Sequence, residues 1–226
     1  MQKLTFVIGA NAAGKTYFIE HHLANEKAVV LDVYDYQQKV YDEHGNNERI
    51  TFEEQFRCLK KANEKHLHDI INELKQGNDV IAEQTFFKAK RRIAYIDEIR
   101  NEMDVKIEVY VMYPSKKRWI ENSKKREDIE NIEVYENQKK QMEFPNPAEG
   151  FDAIFEVVDD EIILRMDDIK PEIVKQARQE LTEEDTRIRR EDEPPLPIVI
   201  NEQLTPEEKI IWQRIKAEPE SLLKEK

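Results

Sequence analysis

The chain has 226 residues, of which 37% are charged and 39% hydrophobic, and its formal net charge is −12. This size fits one domain with an appendage, and the composition indicates a helix-rich globular protein rather than a membrane or fibrous one. No apolar run approaches the roughly 20 residues of a membrane span, and the first apolar run is too short for a signal peptide. The single cysteine, Cys58, excludes an internal disulfide, and no Cys/His spacing suggests zinc. We therefore expect a cytoplasmic protein.

The charge is unevenly distributed along the chain. Net acidity argues against non-specific binding to nucleic acid. Between Thr85 and Arg126, however, the chain has twelve basic residues and only six acidic ones. This segment is predicted to offer a local anion-binding face.

A phosphate-binding motif follows the first predicted strand. The apolar run Leu4–Ile8 leads into GANAAGKT at positions 9–16, which matches G-x-x-x-x-G-K-[ST] at every fixed position. With a helix predicted from Tyr17, this is the strand–loop–helix context of a nucleoside triphosphate site. Lys15 is expected to reach the β- and γ-phosphates, and Thr16 to hold Mg²⁺. The predicted nucleotide-binding residues are Gly9, Ala10, Asn11, Ala12, Ala13, Gly14, Lys15 and Thr16.

Strands and helices alternate over the first 160 residues. Further strands are predicted at 28–33, 79–83, 105–112 and 153–158, with one more candidate at 161–166. Helices are predicted from a Thr51–Glu54 capping box to a stop at Gly77, at 88–102, from residue 115, and at 133–142. The alternation predicts a P-loop NTPase fold of three α/β/α layers around a mainly parallel five-stranded sheet. Because ligands bind beyond the carboxyl ends of such strands, we expect the loop, Asp32, Asp35 and residues 83–85 to meet at one edge.

The C-terminal third has a different character. A helix is predicted from Pro171, followed by a charge run at 183–193, a Pro-rich linker at 194–197 and an amphipathic helix from Thr205. The predicted organisation is a P-loop domain at 1–160, a helical and charged extension at 161–193, and the linker with its terminal helix at 194–226. The terminal helix suits either docking on the first domain or binding a partner protein.

A triphosphate site alone serves ATPases, GTPases, kinases and switches. The guanine-reading tetrapeptide Asn-Lys-x-Asp does not occur, and no long hydrophobic strand ends in Asp-Glu, as a mechanical ATPase would require. A small kinase remains, because it needs only the loop, an acceptor carboxylate and a basic lid.

Four segments carry a resemblance to a known group. They are GANAAGKT at 9–16, LDVYDYQQ at 31–38, EQT at 83–85 with KRRIAY at 90–95, and NSKKR at 122–126 with FPNPAEGFDAI at 144–154. Over residues 4–158 the chain resembles the P-loop kinases typified by polynucleotide 5′-hydroxyl kinases, with zeta-toxin-type kinases as near relatives. The last segment, which looks like the family's lid and the turn before its final strand, is the most specific.

The resemblance implies transfer of the γ-phosphoryl group of ATP, with Mg²⁺, to an acceptor hydroxyl. An ungapped match places Tyr34 where the family has its general-base Asp, with Asp32 and Asp35 on either side. The resemblance implies Asp35 as the base, because it precedes YQQ as in some relatives, and Asp32 is the alternative, because it should end the strand nearest the Mg²⁺. Arg126 of the lid would neutralise developing charge. The implied acceptor-side residues are Glu83, Thr85, Arg91 and Arg92.

The sequence does not decide which class of molecule accepts the phosphoryl group. The leading interpretation is the 5′-hydroxyl of a nucleic acid end, and the alternative is a small metabolite such as a nucleotide sugar. A non-catalytic nucleotide-binding module is the third.

Several of these residues also have a purely structural interpretation. Asp32 and Asp35 can end a strand and cap a turn, Glu83 can be a structural carboxylate that holds a loop, and Arg91 and Arg92 can form a solvated helix face. Trp119 is expected in the core. Phe86 and Phe87 can either stack on an acceptor or cover the sheet edge.

Overall fold

A six-stranded sheet organises the protein. The computed structural model describes residues 1–23, 28–44, 51–125 and 132–180. Its strands are β1 (Lys3–Gly9), β2 (Ala28–Asp32), β3 (Asp79–Gln84), β4 (Lys106–Met112), β5 (Ala153–Val158) and β6 (Glu161–Met166). Their order is β2-β3-β1-β4-β5-β6, and all neighbours are parallel except β5 and β6. The predicted α/β class and mainly parallel sheet are confirmed, and the sixth candidate strand joins the five.

Seven α-helices lie within the described residues, and all but the last lie between strands. They are α1 (Lys15–Phe18), which continues as a π-helical turn (Ile19–Leu23), α2 (Val33–His44), α3 (Phe52–Lys75), α4 (Ala89–Glu102), α5 (Lys116–Ser123), α6 (Ile132–Gln141) and α7 (Pro171–Glu180). Helix α2 is absent from the sequence-based prediction, which extended the second strand through Val33. The buried residues of α2 are Val33, Tyr36 and Val40, a helical spacing that is easily missed beside Asp32 and Asp35.

Each face of the sheet carries its own core, because successive side chains of a strand point to opposite faces. Leu4, Phe6 and Ile8 of β1 are at most 1% exposed and belong to the larger cluster, which α3 and α4 cover. Val7 belongs to a second cluster, together with Phe18 at the end of α1. The chain therefore has helices on both faces of the sheet, as predicted.

Local signals place the ends of α3. The Thr51 hydroxyl accepts a hydrogen bond from the Glu54 amide at 3.3 Å, and the Glu54 carboxylate accepts one from the Thr51 amide at 2.7 Å. Gly77 has φ +92°, a left-handed conformation that suits glycine just beyond a helix end. Both predictions are confirmed. Phe56 of the predicted apolar stripe is 49% exposed, so the stripe reaches the core only in the later turns.

The chain divides into two units, Met1–Arg187 and Ile188–Lys226. The predicted charge run, Pro-rich linker and terminal helix all lie outside the described residues, and the predicted boundaries at 160 and 193 stay predictions. Among the described helices, none has both the length and the apolarity to cross a membrane.

A buried histidine joins the ends of two strands. His66 of α3 is fully buried, and its Nε2 lies 3.1 Å from the Leu31 carbonyl oxygen of β2. Its Nδ1 lies 3.3 Å from Nε2 of Gln84 at the end of β3. Burial lowers the pKa of His66 to about 4, against an ordinary value of 6.5. The ring is therefore neutral at physiological pH and connects the strand ends that carry Asp32 and Glu83.

This pKa predicts a pH-dependent stability. The unfolded state binds more protons than the folded state between the two pKa values, 4 and 6.5. The free energy of unfolding should therefore fall as the pH drops through this window, by up to about 3 kcal/mol from His66. Urea unfolding across the range measures it. The variant His66→Gln should lose this component, whereas His68→Gln, which alters a histidine with a 73% exposed side chain on the same helix, should keep it. Identical pH profiles for the protein and His66→Gln would contradict the assignment.

Candidate active site

The motif loop lies at the carboxyl edge of the sheet, between β1 and α1. Gly14 has φ +90° and directly precedes α1. At Gly9 a Cβ atom would lie 2.7 Å from the carbonyl oxygen of Met112, at the end of the paired strand β4. Gly14 therefore meets a conformational requirement and Gly9 a steric one. The loop follows the central strand β1, which has β3 on one side and β4 on the other, the position where open α/β sheets bind ligands.

Lys15 and Thr16 form the polar floor of the site. Lys15 is 5% exposed, and its ammonium donates to the carbonyl oxygens of Ala10 at 3.1 Å and Gly9 at 3.4 Å. The Thr16 hydroxyl donates to the Glu83 carboxylate, with oxygen distances of 3.0 and 3.1 Å. Glu83 was predicted on the acceptor side, but the structure places its carboxylate against the phosphate loop.

These groups fit a magnesium ion. Mg²⁺ prefers hard oxygen ligands and usually retains several waters, so it needs only one or two protein groups beside substrate phosphates. The Thr16 hydroxyl and the Glu83 carboxylate supply such oxygens. The described residues contain no cluster of three or more His, Cys, Asp or Glu side chains that could hold a metal ion.

A cavity of about 600 Å³ opens beside the loop. Its far wall carries Arg118, whose Nη2 lies 3.0 Å from Oδ1 of Asp160. Asp159 lies beside Asp160 in the turn between β5 and β6, and it accepts a hydrogen bond from the Ser115 amide at 2.9 Å. The remaining lining residues are Ala12, Ala13, Gly14, Lys15, Thr16, Tyr17, Phe18, His22, Glu83, Met112, Asn122 and Lys125. The volume suits a small ligand.

Helices α5 and α6 hold the loop from outside, which the sequence did not reveal. Trp119 donates its indole N–H to the Asn11 carbonyl at 2.7 Å, and Asn122 donates to the Ala12 carbonyl at 3.1 Å. The Asn11 amide donates to the side-chain oxygen of Gln138 at 2.9 Å. Trp119 is 1% exposed, in agreement with its predicted core position. No local pattern could have found Gln138, because 127 residues separate it from Asn11.

The two candidate bases have different environments. Asp32 ends β2 and is half-buried, and its Oδ1 accepts a hydrogen bond from the Tyr34 amide at 2.9 Å. Burial raises the pKa of the Asp32 carboxyl, against the lowering effects of the Tyr34 amide and the Lys15 charge. Asp35 lies in the first turn of α2 and is exposed. Asp32 therefore caps the start of α2, as its structural interpretation expected, and also lies within the electrostatic reach of Lys15.

Arg92 occupies an interior position. Its side chain is 1% exposed and makes a two-point contact with Glu149, at 2.5 Å from Nε and 2.8 Å from Nη2. The same guanidinium donates to the carbonyl oxygens of Phe86 at 2.6 Å and Glu143 at 2.8 Å. The structure thus gives Arg92 a structural role, at odds with both its predicted acceptor contact and a solvated helix face. It joins the end of β3 to the turn before β5.

The other acceptor-side residues lie near this junction. Arg91 is exposed, with its guanidinium carbon 5.9 Å from the centre of the Phe86 ring. Phe86 is 2% exposed and packs on Phe6, so it covers the sheet rather than facing a ligand. Thr85 is half-buried just after β3. Arg126 lies outside the described residues.

The buried Arg92–Glu149 pair allows a direct test of the structural role. Arg92→Met leaves a buried carboxylate without its partner, which should lower the free energy of unfolding by about 3–5 kcal/mol. Arg92→Met combined with Glu149→Leu should recover much of that loss, as measured by urea unfolding. Arg57→Met is the control, since it breaks an exposed Arg57–Glu53 pair with 72% and 81% exposed side chains and should leave the unfolding midpoint unchanged. Equal effects of Arg92→Met and Arg57→Met would contradict this role.

Comparisons with solved structures find the same fold elsewhere. A candidate kinase from Chloroflexus aurantiacus superposes with a TM-score of 0.57 at 18% identity, covering 79% of this chain and 94% of that one. A chain from the PezAT chromosomal toxin–antitoxin system of Streptococcus pneumoniae superposes with a TM-score of 0.51 at 14% identity, covering 100% and 88%. A chain of the Pnkp1/Rnl/Hen1 RNA repair complex reaches 0.47 at 15% identity, covering 73% and 49%, a score that supports no inference.

These identities establish a shared fold. No curated protein matches the chain. A family model described as an AAA domain, AAA_33, matches residues 4–145, which is more than half of the sequence. The predicted P-loop domain and its fold are thus confirmed. The chain belongs to the AAA_33 family of P-loop proteins.

Proposed function

We propose that this protein is an ATP-dependent kinase that transfers the γ-phosphoryl group to an acceptor hydroxyl. The observation that carries the proposal is the convergence of Lys15, the Thr16–Glu83 pair and the half-buried Asp32 at one edge of the sheet. A cation and loop amides can bind phosphates, while a carboxylate beside them can receive a proton. Phosphoryl transfer needs positioning and charge stabilisation more than covalent chemistry, and these groups supply both.

The loop side of the site would bind the nucleotide. Lys15 can exchange its loop carbonyl partners for the β- and γ-phosphates, and the amides before α1 can bind the same anion. Thr16 and Glu83 would hold Mg²⁺, which when bound neutralises charge on the phosphates. Arg126 of the predicted lid would add a further positive charge to the transferring group.

The acceptor side would use Asp32 as the general base. Its raised pKa favours proton uptake. Asp35, which the resemblance favoured, is exposed and lies beyond the strand end. Arg91, which is exposed, would be a cation of the acceptor side, and Thr85 lies six residues before it, directly after β3.

The leading acceptor is the 5′-hydroxyl of a nucleic acid end, supported by the resemblance of the lid and of the turn before β5. The alternative is a small metabolite such as a nucleotide sugar. The net charge of −12 favours the alternative, because tracking a nucleic acid backbone usually requires basic grooves.

A panel of acceptors tests the proposed function. The full chain is incubated with Mg²⁺, γ-labelled ATP, and 5′-hydroxyl DNA, 5′-hydroxyl RNA or nucleotide sugars. Label on either nucleic acid supports the leading acceptor. Label on nucleotide sugars alone would show that the acceptor is a small metabolite. ATP binding without label on any acceptor would leave a non-catalytic nucleotide-binding module.

The choice of base makes a separate prediction. Asp32→Asn should lower turnover of the labelled acceptor by at least about 10²-fold, since general bases contribute about 10²–10⁴ in rate. ATP affinity should stay within about twofold, because the carboxylate acts on the acceptor. Asp35→Asn is the matched control and should retain most activity. The reverse pattern, with turnover lost in Asp35→Asn and kept in Asp32→Asn, would assign the base to Asp35.

A further inference from the structure

Tyr34 occupies an unusual position beside the phosphate loop. It lies in the first turn of α2, where the Asp32 side chain fixes its amide at 2.9 Å. Residue 32 pairs in register with Glu83 of β3, so this turn begins at the same sheet edge as the loop. The Tyr34 residue is 40% exposed, so core packing does not account for its placement.

A polar contact accounts for the placement instead. The Tyr34 hydroxyl donates a hydrogen bond to the side-chain oxygen of Asn11, inside the loop. The main chain of Asn11 is held by Gln138 at its amide and Trp119 at its carbonyl, at 2.9 and 2.7 Å. The tyrosine hydroxyl therefore rests on a fixed part of the loop.

This contact lies close to the ammonium group of Lys15. The Lys15 ammonium is 3.1 Å from the carbonyl oxygen of Ala10, the residue directly before Asn11. Since this lysine reaches the β- and γ-phosphates in such loops, the Tyr34 hydroxyl lies at the terminal-phosphate end. The positive charge of Lys15 also acts on the Asp32 carboxyl, which lies on the same side of the loop.

We propose that Tyr34 is itself a phosphoryl acceptor, modified within the same chain when no external acceptor is bound. This inference rests on the proposed kinase function. The bond between the γ-phosphorus and the bridging oxygen of ATP breaks, and a bond from that phosphorus to the Tyr34 hydroxyl oxygen forms. The hydroxyl proton is released to the solvent that reaches this 40% exposed residue, and ADP leaves. The phosphate on Tyr34 then faces the loop and competes with the next nucleotide, so the reaction limits itself to one group per chain.

The test follows the mass of the full chain incubated with Mg²⁺ and ATP alone. Fragmentation must separate Tyr34 from Tyr36, because both lie on the tryptic peptide 28–39. We expect one phosphoryl group, on Tyr34, at a rate per chain that does not change with protein concentration. The phosphorylated protein should bind a fluorescent ATP analogue at least tenfold more weakly than the unmodified protein.

Tyr36→Phe is the matched control. It lies on the same helix and the same peptide, but its hydroxyl donates to Asp69 at 2.9 Å. It should retain modification, whereas Tyr34→Phe should lose it at least tenfold.

Three results would overturn the inference. Nucleotide binding, with or without transfer to an added acceptor, but with no phosphate on Tyr34, refutes it and leaves the proposed function standing. A rate that rises with protein concentration shows transfer between copies and refutes the internal geometry. Absence of nucleotide binding refutes the inference and the proposed function together.

Discussion

The parallel pairing of β1 with β3 determines where the polar groups of this protein meet. Val7 lies opposite Glu83 in that ladder, two residues before β1 ends at Gly9. On the outer side Glu83 lies opposite Asp32 of β2. Because a one-residue slip would turn Glu83 to the opposite face of the sheet, the Thr16–Glu83 hydrogen bond requires this register. The separate pairing of β2 with β3 brings the end of β2, with Asp32, to the same edge of the sheet.

The loop depends equally on contacts from elements far away in the sequence. Trp119, Asn122 and Gln138 hold its backbone from α5 and α6, while Lys15 holds its carbonyls from within. A backbone fixed in this way is ordered before any ligand arrives, which is the physical meaning of a preorganised site. The buried Arg92–Glu149 pair fixes the neighbouring junction between β3 and the turn before β5. Rigid supports therefore surround the proposed acceptor side as well.

Local patterns predicted those features that have local causes. The loop motif, the alternating strands, the Thr51 capping box and the left-handed Gly77 each depend on residues within a few positions of one another. The contacts of Arg92 and Gln138 depend on partners 57 and 127 residues away. Periodicity could not anticipate them, since arginine and glutamine are residue types that usually lie at the surface. Helix α2 was missed for a different reason, because acidic and aromatic residues at a strand end suggested a site before they suggested a helix.

The proposed function requires the loop to bind a triphosphate through Lys15. Calorimetric titration of the full chain and of Lys15→Ala with ATP in the presence of Mg²⁺ measures this binding. We expect saturable binding at one site per chain, weakened at least tenfold in the variant. Equal affinity in the two proteins, or no binding to either, would contradict it.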